Sequence, residues 1–424
     1  MENKYFFQCI KCDQRLEGYS DEIVKCPKCE GPINVKMNRK LLREAISKEK
    51  FYKKNIESMW SFFDFLPLQN KHHVGSLKEG NTPLLKSNRL AKQYNLRNLY
   101  FKLDFLNPTG SFKDRQISMG ISKALEFKNS AVITMSSGNV GAAVAAYSAR
   151  TGLKNIILVP SIAPQSKIIQ ILYYGGNVIK IKSDSTDFIS QIVQKAASEF
   201  NMGNLITAGI FNPFINKGAK TIAYELAIQF NRDEGVLPDA IIIPVGGSGL
   251  LSGVYEGFKE LYDLDFIDQI PKLFGIQPEG CAPFVKAIQE DLSPKYLFKH
   301  PWKKINTIST ALADDIPLDC YTGIPAIKNS KGDALSVSDE HTLNASKHLS
   351  IFEGLFAEPS SCVTVAALKD LLKKGLIHRN EHIVCLLTGS GFKDLKSIKS
   401  LLPRAKEADK NFNWKKMFKK ILSS

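Results

Sequence analysis

Asn107-Pro108-Thr109-Gly110-Ser111-Phe112-Lys113-Asp114-Arg115 sets a lysine at the mouth of a helix, behind a turn built of proline, glycine and serine. Residues 99–103, a short apolar run just before it, read as a strand. The expected helix, residues 112–127, gathers Ile117, Ile121 and Ala124 on one apolar face. A helical lysine ordinarily lies on the solvated face. Three motifs further along the chain set Lys113 apart from that reading. Ser136-Ser137-Gly138-Asn139, Gly246-Gly247-Ser248-Gly249 and Thr388-Gly389-Ser390-Gly391 each come directly after a short apolar run of β type.

An amine that can condense with an aldehyde, together with small-residue loops at strand ends that can cradle a phosphate, is what a pyridoxal phosphate site requires. The phosphate falls to Gly246, Gly247, Ser248 and Gly249. Glycines let backbone N–H groups converge on the oxygens, and a helix opening near Leu250 adds the positive end of its dipole. Tight turns elsewhere share this composition. Here the loop follows Ile241-Ile242-Ile243-Pro244-Val245, the place where open sheets bind ligands.

Strand-like and helical runs alternate on both sides of these loops. Residues 131–135 precede a helix opening near Val140, 156–159 one near Gln165, and 178–181 another at 186–199. After a helix at 220–230 come strands at 240–245, 273–276 and 382–387. This rhythm predicts an α/β fold with two open, mostly parallel sheets flanked by helices.

At 424 residues the chain has room for two or three domains, and its 44% hydrophobic content fills ordinary cores. No apolar run reaches the ~18 residues that span a bilayer, and residues 1–8 carry charge where a signal peptide needs an apolar stretch. A cytoplasmic protein with no membrane span is the expectation. The formal charge of +15 comes from lysines scattered along the chain, which reads as a generic basic surface rather than a nucleic-acid footprint.

Of eight cysteines, Cys281, Cys320, Cys362 and Cys385 are widely spaced and read as buried free thiols. Cys9, Cys12, Cys26 and Cys29 form two C-x-x-C pairs, whose four thiolates can close a tetrahedral shell around zinc. Two disulfides are the alternative, disfavoured in a chain without a secretion signal. Residues 1–35 carry Lys4, Lys11, Arg15, Lys25 and Lys28 against Glu2, Asp13, Glu17, Asp21, Glu22 and Glu30. So near-neutral a ribbon is structural and binds no nucleic acid.

Residues 38–78 form a charged, helix-prone arm whose Trp60, Phe62, Phe63 and Phe65 read as core packing or a subunit contact. At the other end, Trp414, Met417, Phe418, Ile421 and Leu422 lie at helical spacing opposite Lys415, Lys416, Lys419 and Lys420. Docking on the protein itself is the expected role of that helix, with an anionic membrane surface as the alternative.

In order and flanks the four motifs resemble the fold type II pyridoxal phosphate enzymes, and within them the threonine synthase family over nearly the whole chain. Gly80-Asn81-Thr82-Pro83-Leu84, Asn212-Pro213, Gly218-Ala219-Lys220-Thr221, Glu358-Pro359-Ser360-Ser361 and the N-terminal ribbon all look like counterparts there. The resemblance implies a zinc ribbon at 1–35, a large cofactor-binding domain at 36–128 and 216–402, a small mobile domain at 129–215, and a basic amphipathic tail at 403–424. It implies a homodimer.

It assigns Lys113 the Schiff base and the proton transfers, Asn139 the ring hydroxyl, Ser136 and Ser137 the substrate carboxylate, and Thr388 the pyridine nitrogen. A hydroxyl at Thr388 would not keep that nitrogen protonated, which shifts more of the work to Lys113. The implied substrate is O-phospho-L-homoserine, an anionic phosphoester converted with water to L-threonine and phosphate. Its phosphate needs a cationic pocket, for which Lys220, Asn212 and Arg115 are candidates, Arg115 being equally placed to pair with Asp114 or Asp104.

Three stretches depart from the family pattern. Val140 stands where many threonine synthases have a threonine that serves water addition. Residues 183–190 lack a basic side chain that some direct at the substrate phosphate, and residues 311–331 do not look like the usual segment. The alternatives are β-replacement or β-elimination on O-phospho-L-serine, as in the similar cysteate synthases, a serine or threonine dehydratase, and a scaffold on a decayed fold. Intact Lys113 and glycine loops speak against decay.

Overall fold

The computed structural model describes residues 3–16, 25–163, 165–183, 185–399, 402, 405, 407 and 413–422; parts of the expected ribbon (17–24) and tail lie outside them. The ribbon is an antiparallel sheet of β1 (Tyr5–Cys9), flanked by β2 (Arg15–Leu16) and β3 (Ile33–Met37). The rings of Tyr5 and Phe7 each meet Phe214 edge to face at 5.7 Å, which seats it on the body of the protein. Cys9, Cys12, Cys26 and Cys29 bring their sulfurs within 4.8 Å of one another.

The arm folds as two short helices, Arg39–Ala45 and Lys48–Tyr52, and a 3-10 segment, Met59–Phe65. Phe62 and Phe65 are fully buried and pack with Phe51 against Tyr224, so this part of the aromatic cluster is core. Trp60 does something else. Its indole Nε1 donates to Glu79 Oε1 and Ser118 Oγ, each at 2.9 Å.

Ten further strands complete the set: β4 (Leu84–Lys86), β5 (Asn98–Leu103), β6 (Ala131–Met135), β7 (Lys154–Pro160), β8 (Val178–Ile181), β9 (Met202–Asn204), β10 (Ala240–Pro244), β11 (Lys272–Pro278), β12 (Asp333–Val337) and β13 (His382–Leu387). Four of them make a parallel sheet in the order β8-β7-β6-β9. Six make a second sheet, β12-β11-β10-β13-β5-β4, parallel except for its antiparallel edge strand β4. The central strands β10 and β13 are apolar, apart from His382 at the start of β13, as strands covered by helices on both faces must be. The α/β class with two open, mostly parallel sheets is therefore the observed one.

Outside the ribbon, β4, β9 and β12 were not read from the sequence. Ser338 caps the helix Asp339–Glu353 by accepting the N–H of His341 at 3.1 Å. The strand just before it pairs with β11.

Among the described residues no helix is long and apolar enough to cross a membrane. The terminal helix, Trp414–Leu422, leaves Trp414, Phe418, Ile421 and Leu422 exposed, so the expected docking is not what the structure has. Its amphipathic pattern alone did not determine what covers it.

Candidate active site

β5 leads through a short turn, Asp104–Leu106, into the lysine loop and the helix Lys113–Glu126. That loop is held at nearly every residue. Asn107 donates through Nδ2 to Asp104 O (2.8 Å) and accepts from Gly80 N through Oδ1 (2.9 Å). Gly110 sits at φ +85, a left-handed conformation that glycine tolerates without steric cost. Phe112 N donates to Thr388 O and Ser390 N to Gly110 O, each at 2.9 Å, which ties the lysine loop to the loop after β13.

Two residues on, Arg115 disappears into a fully buried charge cluster. It donates to Asp104 through Nε (2.9 Å) and Nη2 (2.8 Å), and to Glu225 through Nη1 (2.5 Å) and Nη2 (2.8 Å). Lys102 adds a bond to Glu225 at 2.7 Å. Burial alone would raise Glu225, yet Arg115 and Lys102 overcome it and hold the carboxyl at about 2. Arg115 therefore braces the loop and is not free for a substrate.

Lys113 lines a cleft of about 1020 Å³, formed between the carboxyl ends of strands from both sheets. Its Nζ donates to Gln116 Oε1 (3.0 Å) and Thr207 Oγ1 (3.1 Å). Burial pulls its pKa down to about 8, against the opposing charges of Asp314 and Asp319. The Ser136–Asn139 loop opens the helix Asn139–Thr151, whose first turn has no side-chain cap. Ser136, Ser137, Gly138 and Asn139 line the cleft; within the loop Ser136 N donates to Leu158 O and Gly138 N to Ser136 Oγ, each at 3.1 Å, so an anion would be met by the uncapped helix start that follows. Asn139 Nδ2 reaches Glu358 Oε1 at 3.3 Å.

The Gly246–Gly249 loop lines the same cleft and opens the helix Gly249–Asp263, again without a side-chain cap. Ser248 holds φ +67, and its buried Oγ has no hydrogen-bond partner. A Cβ on Gly246 would come within 2.7 Å of Asp314 Oδ2, and the backbone N–H of Gly247 pulls the pKa of that carboxyl down against the larger effect of burial. An anion on a backbone N–H of this loop is the stand-in expected of a phosphate cradle, so the residues fit the cofactor the motifs point to. Burial raises both Asp314 and Asp319 to about 6.

Thr388, buried at the end of β13, sits 3.1 Å from Ser361 Oγ through its own hydroxyl. Ser361 also accepts from Thr388 N (3.0 Å) and Gly389 N (2.7 Å), so the Glu358–Ser361 motif shapes this loop. The N-cap of the following turn is Ser390, which accepts from Phe392 N; Thr388 has no such role.

Two of the residues offered for the substrate phosphate are engaged elsewhere. Lys220 is fully buried, with Nζ on Phe65 O (3.0 Å) and on both Glu260 oxygens (2.8 and 2.9 Å). Asn212 donates to Asn204 O (2.8 Å) and accepts from Phe214 N (3.0 Å). Neither lines the cleft, because the turn that carries Lys220 aims its side chain into the core. Conversely, Gln116, Gln170, Thr207, Asp314, Glu358 and Lys393 line it without having been marked as site residues. Gln116, one turn after Lys113, was the one within reach of a helical-spacing argument.

A family described as pyridoxal-phosphate dependent enzymes matches residues 75–389. The chain is 37% identical to a threonine synthase of Methanocaldococcus jannaschii, over 91% of this chain and 92% of that one. A threonine synthase of Methanosarcina acetivorans is 34% identical over 96% and 97%. Among solved structures, maize serine racemase superposes with a TM-score of 0.62 at 23% identity, covering 81% of this chain and 93% of that one. Serine racemase of Dictyostelium discoideum gives 0.59 at 27% identity, over 74% and 92%.

The lowered pKa of Lys113 has a kinetic consequence. Only the neutral amine attacks an aldehyde, and a pKa near 8 makes about a tenth of it neutral at pH 7, where an ordinary lysine near 10.4 offers under a thousandth. Apoprotein mixed with pyridoxal phosphate at increasing pH is expected to turn yellow at a rate that climbs through pH 8 and then levels. A rate still climbing steeply beyond pH 10 would show that burial does not tune this amine.

Proposed function

Because the chain belongs to the pyridoxal-phosphate dependent enzyme family, and is a threonine synthase-like lyase within it, we propose that it converts O-phospho-L-homoserine and water to L-threonine and phosphate. Whole-length likeness to two archaeal threonine synthases carries this reading. When bound, pyridoxal phosphate supplies an aldehyde for the substrate amine and an electron sink for the carbons next to it.

The residues around it divide the remaining work. Gly246, Gly247, Ser248 and Gly249 would hold the cofactor phosphate, Asn139 and Thr388 its ring, and Ser136, Ser137 and the uncapped helix start the substrate carboxylate. Lys113 carries protons on and off the substrate carbons. Its lowered pKa keeps a useful share of the base form at neutral pH. Gln116 and Thr207 fix where its Nζ sits. Val140 leaves an apolar spot in the wall of the cleft, while the Thr207 hydroxyl, 3.1 Å from Nζ, is placed to pass a proton to or from the water that adds.

The four ribbon sulfurs suit one zinc, which would staple a module with little core of its own. Elemental analysis of the purified protein should give about one zinc per chain, lost on chelation with unfolding of the ribbon; metal-free protein with an intact ribbon would remove the zinc.

The reaction is tested by offering the holoenzyme O-phospho-L-homoserine, and separately O-phospho-L-serine with sulfite, and identifying the amino acid formed by mass spectrometry. Threonine from the first is expected. Phosphate release from the phosphoserine mixture alone would mean that Val140 and the unusual segment 311–331 mark a three-carbon substrate.

A further inference from the structure

Lys113 is committed to the cofactor, so the substrate phosphate needs another cation. Of the described residues in segment 183–190, only Thr186 and Ile189 line the cleft wall. Among the described residues that line the cleft, Lys393 is the one remaining lysine or arginine, beside the carboxylates of Asp314, Glu358 and Asp394. A phosphomonoester carries nearly two negative charges into this partly desolvated, acid-lined space, where an anion without a cationic partner is strongly disfavoured.

The surroundings of Lys393 suit such a task. It ends the short turn Gly391–Lys393 after β13, and its stem runs along the lysine loop: a Cβ on Gly110 would lie 3.1 Å from its Cε. Its Nζ donates at 2.7 Å to Gln170 Oε1, a neutral amide on the helix Gln165–Tyr173. Gln170 in turn donates to Thr109 O at 3.0 Å. Burial lowers the pKa of Lys393 while Asp114 and Glu358 oppose the shift, and its Nζ is bonded to a neutral amide that a phosphate can displace.

We propose that Lys393 is the substrate-phosphate residue of this enzyme, exchanging Gln170 for a phosphate oxygen when the ester binds. The inference rests on the reading of the substrate as a phosphoester. It also gives Gln170 a role, as the amide that keeps the ammonium aimed into the cleft between turnovers and links the loop after β13 to the helix that comes after β7.

The experiment uses holoenzyme and two unreactive probes, the phosphonate in which a methylene replaces the ester oxygen of O-phospho-L-homoserine, and L-norvaline, which has no phosphate. Binding is read from the change each causes in the cofactor absorbance. Lys393→Met is expected to weaken the phosphonate at least about tenfold, the range of a charged hydrogen bond, and to change norvaline by less than about twofold. Lys393→Arg should restore most of the phosphonate affinity. Gln170→Glu, which leaves Lys393 in place and gives it a fixed carboxylate partner, should also weaken the phosphonate selectively. Cofactor content should match wild type in all three. Equal phosphonate binding by wild type and Lys393→Met, or equal losses for both probes, would overturn the assignment. Should wild type make no threonine from phosphohomoserine while Lys393→Met still loses the phosphonate selectively, the proposed reaction falls and the role of Lys393 as phosphoester reader stands.

Discussion

The structure depends on a buried arginine. Arg115 carries its charge into a space with no exposed surface, where Asp104 and Glu225 neutralise it and Lys102 completes the balance. Breaking such a cluster leaves uncompensated charge in the interior, at a cost of about 3–5 kcal/mol. Its partners come from β5, from the turn after β5 and from the helix Thr221–Asp233. Because Arg115 stands two residues after Lys113, the position of the reactive amine is fixed by the core beneath it. The lysine loop can then be made of small, permissive residues without becoming loose.

Around that fixed point the site is assembled from strand ends. The loops after β6, β10 and β13 converge on the cleft, and two of them open directly into long helices whose first N–H groups have no side-chain cap. Uncapped helix starts are costly when buried and useful when they face an anion. The proposed reaction would use that property twice, for a cofactor phosphate and a substrate carboxylate. The Asp314 carboxyl sits beside the second of these helix starts, where burial raises its pKa to about 6 against the opposing charge of Lys113 and the N–H of Gly247.

Much of this was legible in the sequence because glycine loops behind apolar runs are a local signal. Lys113, the Ser136–Asn139 loop and the Gly246–Gly249 loop are each recognisable within a few residues of chain, and the structure brings all three to one cleft. What was not legible is what depends on direction. Lys220 and Lys393 are both lysines in glycine-containing motifs, yet one points into the core against Glu260 and the other into the cleft against Gln170. Nothing in the spacing of either motif distinguishes them. Thr207 and Asp314 come from irregular segments with no periodic pattern, and reach Lys113 and Gly246 only through the tertiary fold. The terminal helix carries a strong amphipathic pattern, which says that one face seeks an apolar surface without saying whose.

The central claim is that one lysine, held over a buried charge cluster, carries the cofactor. Borohydride reduction of the yellow holoprotein fixes the cofactor to whichever amine holds it, and peptide mapping then locates the label. A single labelled peptide containing Lys113 is the predicted result. Label on another lysine, with Lys113 unmodified, would contradict the account at its base.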